Sequence, residues 1–153
     1  MKTILIGLMI MLLQSCNNVP SGDSPTFDPE LAASLGADEY GNKSYILVIL
    51  KTGPAVIEDP VLRDSLFAGH FSNMNRMAEA GQLVVAGPIG ENNLAYRGIF
   101  ILNTTSSGQA WEWLQGDPTI TNQIFEAELF PWYGSAALPE HLKIHERIQQ
   151  EKL

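Results

Sequence analysis

Cysteine is almost missing from this chain of 153 residues, in which Cys16 is the only one. A single thiol excludes an internal disulfide and a multi-cysteine metal site. If Cys16 is modified, as argued below, no cysteine nucleophile remains either. Stability and chemistry must then come from the packed core and from other side chains.

Positive charge is also scarce, with nine Lys and Arg against seventeen Asp and Glu and a formal net charge of −8. Binding to a phosphate backbone requires clustered basic residues, and here they are scattered along the chain. We therefore expect no nucleic acid among the partners. An acidic surface also repels anionic lipid headgroups, so any membrane attachment needs another source.

Apolar runs long enough to span a bilayer are missing too, since spanning takes about 20 residues. The longest run, from Ile4 to Leu13, follows Lys2 and precedes Gln14-Ser15-Cys16. This arrangement is typical of a secretory signal, and Leu-x-Ser-Cys resembles the bacterial lipobox. We expect residues 1–15 to be a lipoprotein signal peptide and Cys16 to be the lipidated first residue of the mature protein.

The residues after Cys16 indicate the location and the domain plan. Asn17 and Asn18 after Cys16 include no Asp, which resembles lipoproteins sent to the outer membrane rather than kept at the inner one, so we expect an outer-membrane anchor in the bacterial cell envelope, facing the periplasm. Residues 16–40 are interpreted as the lipidated Cys with a tether and lead-in, rich in Asn, Pro, Ser and Gly at its start. Residues 41–134 form one domain, and residues 135–153 a C-terminal helix or tail.

Hydrophobic periodicity within the domain predicts six elements in the order β-α-β-β-α-β. They are a strand over Tyr45–Leu50, a helix with apolar residues from Leu62 to Met77 and a stop at Gly81, a hairpin of Leu83–Ala86 with Gly98–Leu102, a helix over Ser106–Leu114 ended by Gly116, and a strand over Ile124–Phe130. This order indicates an α+β, ferredoxin-like fold, with a four-stranded antiparallel sheet and both helices on one face. The other face then needs a cover: a partner subunit, a ligand or an added element.

Five features on these elements carry a family resemblance: His70 in the first helix, Gly81 at its end, Gly87-Pro88, Gly98 in the next strand, and Asp117-Pro118. In this order, from about Tyr45 to about Pro131, the chain resembles the YciI-like (YCII-related) family. The lead-in Leu35–Gly41 is similar to one branch of that family. After Asp-Pro, members often carry a small Ala-Gly pair, whereas this chain has Thr119-Ile120-Thr121-Asn122-Gln123.

The resemblance implies a homodimer that pairs sheet to sheet as a dimeric α+β barrel. It also implies that His70 and Asp117 face a pocket as a catalytic pair, with His70 as general base or acid and Asp117 as its orienting partner. The chemistry implied is cofactor-free proton transfer or elimination on a small organic molecule. Histidine suits this role because imidazole titrates near neutral pH, and a carboxylate on its other nitrogen fixes the tautomer.

Simpler interpretations of these residues stay open. A lone histidine among Leu66, Phe67 and Phe71 is typical of a packed core residue, and an Asp before Pro is a routine turn residue. The alternative function is therefore a ligand-binding or assembly module of the envelope without turnover. His141 and His145 have the spacing of metal ligands on a helix, but a solvated tail face explains them more simply, so no metal or cofactor is expected.

Overall fold

The computed structural model describes residues 26–151, so the predicted signal peptide, Cys16 and the first part of the tether lie outside the described residues. Its elements, in chain order, are α1 (Pro29–Leu35), β1 (Asn42–Thr52), α2 (Pro60–Glu79), β2 (Leu83–Pro88), β3 (Tyr96–Leu102), α3 (Ser107–Leu114), α4 (Pro118–Thr121), β4 (Phe125–Ser135), a 3₁₀ turn (Leu138–Glu140) and α5 (His141–Ile148). Among residues 26–151, no helix combines the length and the apolar character needed to cross a bilayer.

The four strands form one antiparallel sheet in the order β2-β3-β1-β4. The two central strands are the first and third, which is the ferredoxin-like arrangement, so the predicted α+β fold is confirmed. β1 and β4 pair over their whole length, from Asn42 opposite Ser135 to Thr52 opposite Phe125. Each strand thereby extends beyond its predicted apolar segment.

The main core lies between the sheet and the helices. It contains one face of the strands together with Met77 of α2 and Leu114 of α3, and its buried strand residues are Ile46, Val48, Leu50, Leu83, Phe100 and Leu102. Phe125, Ala127 and Leu129 of β4 pack against it, as the alternation along that strand predicts. Helix α2 is followed by Gly81 at φ +67°, the left-handed position predicted for it.

The second face of the sheet is only partly covered. Tyr45, Val84 and Ile101 form a smaller cluster there, and Leu138 of the 3₁₀ turn packs against it. The rest of this face has no helix over it within residues 26–151, and Phe130 remains 44% exposed. The C-terminal segment therefore covers one part of the face that the sequence analysis expects to need a cover.

Three boundaries differ from the prediction. The predicted end of the second helix is confirmed, because α3 ends at Leu114 just before Gly116, but the next boundary is new: Asp117 caps the short, unpredicted helix α4. Strand β4 passes through Pro131, which an edge strand tolerates because no partner needs its N–H. The C-terminal helix is α5, which is shorter than the predicted helix or tail of residues 135–153.

Candidate active site

Helix α2 carries His70 to the middle of the sheet's helix-covered face. The helix begins at Pro60, where the Asp59 side chain accepts a hydrogen bond from the Val61 N–H at 2.9 Å. His70 is only 7% exposed. Its ring stacks on Phe100 with centroids 6.0 Å apart and meets three other phenyl rings edge-on, at 5.4 to 6.4 Å, those of Phe67, Phe71 and Phe125.

Two glycines let the segment before α4 approach α2 closely. A Cβ atom on Gly69 would lie 2.5 Å from Cγ of Pro118, and one on Gly116 would lie 2.6 Å from Oδ1 of Asn73. Both contacts are too short for a real side chain: at Gly69 the rigid Pro118 ring is in the way, and at Gly116 the Asn73 amide would have to shift. This close approach brings Asp117 beside His70.

His70 and Asp117, the two residues predicted to form a pair, are in direct contact. Nδ1 of His70 lies 2.6 Å from Oδ2 of Asp117, and Asp117 is fully buried. Because an ionised carboxylate can only accept hydrogen bonds, the hydrogen at this contact is assigned to Nδ1. The other ring nitrogen, Nε2, is then the one with a free lone pair.

Thr119 completes the cluster, and the sequence analysis assigned it no role. Its backbone N–H and its hydroxyl both donate to Oδ1 of Asp117, at 2.9 and 2.6 Å, and the hydroxyl oxygen lies 3.3 Å from Nδ1 of His70. Thr119 is fully buried. The sequence Asp-Pro-Thr could have pointed to it, because Asp before Pro is a typical start of a helical turn, whose third residue meets the Asp side chain.

Two opposing influences act on the pKa of Asp117. Burial, the largest of them, raises it, but hydrogen bonds from His70 and Thr119 and the charge of the imidazolium act the other way. Together they hold the pKa of the carboxyl below its ordinary value of 3.8. Asp117 is therefore a buried, ionised acceptor at neutral pH.

No protein-family model and no curated protein matches this chain. What the pair does must be argued from its own geometry.

Access to the pair is narrow. The His70 side chain keeps 9% of its exposure. Within the described residues, Nε2 of His70 has no hydrogen-bond partner. The only fully buried side-chain nitrogen or oxygen without a partner there is Oε1 of Gln82. Because Nδ1 is engaged by Asp117, Nε2 is the ring nitrogen that is left for a ligand.

The apolar pocket expected around the pair is not formed by either of two grooves on this surface. One groove, of about 480 Å³, lies between α3, α4 and β4, and Phe125 forms part of it. The other, of about 580 Å³, lies on α2, and Phe71 forms part of it. Each groove thus shares one phenyl ring with the surroundings of His70, but neither is lined by His70 or Asp117.

The two C-terminal histidines do not form a metal-ligand cluster with other residues. Nδ1 of His141 donates a hydrogen bond to the carbonyl oxygen of Leu138 at 2.5 Å, and His145 is exposed. Within residues 26–151, no three His, Cys, Asp or Glu side chains are close enough together to hold a metal ion.

Proposed function

We propose that this chain is a YciI-like (YCII-related) homodimer, lipid-anchored through Cys16 in the bacterial cell envelope, that catalyses cofactor-free proton transfer or elimination on a small organic molecule. The observation that carries the chemistry is the 2.6 Å contact between Nδ1 of His70 and Oδ2 of Asp117, in a buried site built from residues 47 positions apart. The family resemblance implies a catalytic pair of the same two residues, His70 and Asp117.

The geometry supports a one-base mechanism. Nε2 of His70 takes a proton from a C–H or O–H group of the substrate, and the electron pair of that bond stays on the substrate. Asp117 stabilises the imidazolium that forms, because its negative charge faces the Nδ1–H. The proton then returns to another atom of the substrate in an isomerisation, or to the departing group in an elimination.

The surroundings favour a substrate with an apolar body. Four phenyl rings flank the imidazole, and Asp117 is fully buried, so the interaction of the imidazolium with Asp117 is weakly screened. Small-molecule sites commonly combine such apolar walls with a few placed polar groups. Here Nε2 is the polar group that the pair offers.

A second candidate function is a binding or assembly module without turnover. The observation in its favour is the small exposure of His70, together with the two grooves that the pair does not line. In that case the pair is a buried polar contact that fixes α2 to α4.

The uncovered sheet face supports the homodimer. Leu47, Ile49 and Ile99 point to the side of the sheet away from α2 and are only half-buried, and Phe130 beside them is 44% exposed. A contiguous apolar surface of this kind is typical of an interface. A second copy placed face to face would cover it.

A thermal-shift screen with small organic acids, phenols and lactones tests the catalytic proposal. A compound at a hundredfold excess over its Kd stabilises the fold by about 2.7 kcal/mol. We expect shifts in the parent that disappear in His70→Gln and Asp117→Asn and persist in Asp64→Asn, whose side chain is 79% exposed on α2. Turnover of the compound follows as the second measurement. Compounds that shift all four proteins equally, or none, favour the module.

The anchor is tested separately. Fractionation of cells that express the parent and Cys16→Ser should find the parent with the membranes and the variant free of them. A parent that stays in the soluble fraction contradicts the lipoprotein proposal without touching the chemistry.

A further inference from the structure

The hydrogen bonds to Asp117 are unevenly distributed. Oδ2 meets only His70, whereas Oδ1 accepts two hydrogen bonds, both from Thr119. Asp117 and Thr119 are each fully buried, so water does not replace either of these bonds. Thr119 is thus the residue that determines how the far side of the carboxylate is held.

The hydroxyl of Thr119 is not needed for the helix start. Asp117 caps α4 through the backbone N–H of Thr119, at 2.9 Å, and this bond needs no particular side chain. The hydroxyl adds a second, shorter bond of 2.6 Å to the same oxygen. Its oxygen also lies 3.3 Å from Nδ1 of His70, so one side chain contacts both members of the pair.

We propose that Thr119 is a positioning residue: its hydroxyl holds the Asp117 carboxylate against His70, so that Nδ1 keeps its hydrogen and Nε2 is left as the atom that meets the substrate. The catalytic consequence rests on the function proposed above. The effect on the pair itself does not.

Asp117 is the charged group in contact with His70, and charged side chains on the packed elements are directed elsewhere. On β4, Glu126 and Glu128 alternate with the core residues to the opposite face, and Glu128 pairs with Lys51 at 2.9 Å. On β3, Arg97 donates to the Thr52 hydroxyl, and on α2, Arg76 donates to Asn73. The state of the pair therefore depends on Asp117 and on what holds it.

The test compares Thr119→Val, Thr119→Ser and Thr121→Val in the full chain. Valine keeps the branched shape and the backbone N–H but removes the hydroxyl, whereas serine restores the hydroxyl. Thr121 is the matched control, because it lies in the same helix and its hydroxyl bonds a backbone carbonyl rather than the carboxylate.

Two NMR readouts report on the pair without a substrate. The ¹⁵N shifts of the His70 ring should show hydrogen on Nδ1 in the parent, in Thr119→Ser and in Thr121→Val, and a mixture of both tautomers in Thr119→Val. The titration midpoint of the Asp117 carboxyl carbon should move to higher pH in Thr119→Val, because one hydrogen bond to the charged form is lost. This increase in the titration midpoint must be larger than any difference in midpoint between the parent and Thr121→Val.

Unchanged ring shifts and an unchanged midpoint in a folded Thr119→Val overturn the proposal. If that variant does not fold, the parent decides: a slowly exchanging Thr119 hydroxyl proton with cross-peaks to the His70 ring supports it, and a rapidly exchanging one overturns it. If the NMR changes occur but His70→Gln and Asp117→Asn leave turnover intact, the positioning role stands and the proposed function fails. With a substrate, Thr119→Val should lower kcat roughly tenfold and Thr119→Ser should restore it.

Discussion

At the scale of single residues, the site depends on a carboxylate that is kept ionised away from water. Burial raises the pKa of Asp117, and the hydrogen bonds from His70 and Thr119 bring it below its ordinary value. The same bonds link the residue to folding, since they exist only in the native state. A change of pH that removes the charge also removes part of the stability.

We therefore expect the ionisation of Asp117 to contribute to the pH dependence of the free energy of unfolding at acid pH. Its pKa is lower in the folded protein than its ordinary value of 3.8, so its contribution is fully present above that value and is lost as the pH falls through the lower, folded pKa. Urea unfolding at pH values from about 6 to about 2.5 measures this. The gap in free energy of unfolding between the parent and Asp117→Asn should be constant above about pH 4 and narrow below it.

The comparison of the parent with Asp117→Asn also controls for the titration of Asp38, because Asp38 is present in both proteins. The pKa of Asp38 is also lowered, chiefly by the hydrogen bond from the Tyr133 hydroxyl. Its effect on stability cancels in the difference. A gap that stays constant down to about pH 2.5 would contradict the assigned role of Asp117.

At the scale of elements, the site exists because glycines at two contacts let α2 and the segment around α4 approach each other closely. Gly69 faces the ring of Pro118, and Gly116 faces Asn73. These contacts determine the distance between the two helices and therefore the distance between His70 and Asp117. Glycine here is a matter of space rather than of backbone conformation, since neither residue has a positive φ.

Gly69→Ala should destabilise the protein although alanine favours helices. The added methyl would lie 2.5 Å from Cγ of Pro118, and overpacking of this kind costs about 1–3 kcal/mol, against a helix-propensity gain of at most about 1. The matched control is Gly108→Ala in α3, where the nearest atom is 3.7 Å away. Urea unfolding should show a net loss for the first and a small gain for the second. A Gly69→Ala protein as stable as the parent would contradict this packing.

The elements show where sequence patterns suffice. The apolar segments within β1 and β4 and the repeat along α2 predict strands and a helix, because each buries one face or both. Helix α4 could not be predicted in this way, since Pro118–Thr121 is too short to show a period. The ends of β1 are determined by its pairing with β4. The sequence of β1 alone does not show that pairing.

The site residues likewise fall into those that could be predicted from the sequence and those that could not. His70 and Asp117 were predicted as a pair from the family resemblance, not from spacing, since 47 residues separate them. Thr119 was noticed only as a departure from the family pattern, because a threonine gives no sign of burial in its own sequence. The sequence pattern predicts Gly116 as a helix stop, whereas the structure explains the glycine by the close approach of the Asn73 side chain on α2.

At the scale of the whole molecule, the open sheet face predicts self-association. Stable interfaces bury about 1,200–2,000 Å² in total, and a four-stranded sheet face with exposed Phe130 offers a suitable surface. We expect Phe130→Asp to sediment as a monomer, because a charge would be buried at the interface. Val56→Asp, at a position 84% exposed outside the sheet, should stay dimeric like the parent. A parent that sediments as a monomer contradicts the homodimer.

The pairing of β1 with β4 places both connections of the sheet at one end of it. The lead-in enters the sheet at Asn42 and the C-terminal segment leaves it at Ser135, so both connect to the same end. His70 stacks on Phe100, which lies opposite Val48, six residues farther along β1 than Asn42, or about 20 Å. If Cys16 is lipidated as proposed, the anchored segment joins the sheet at Asn42, and the His70–Asp117 pair lies farther along the strands.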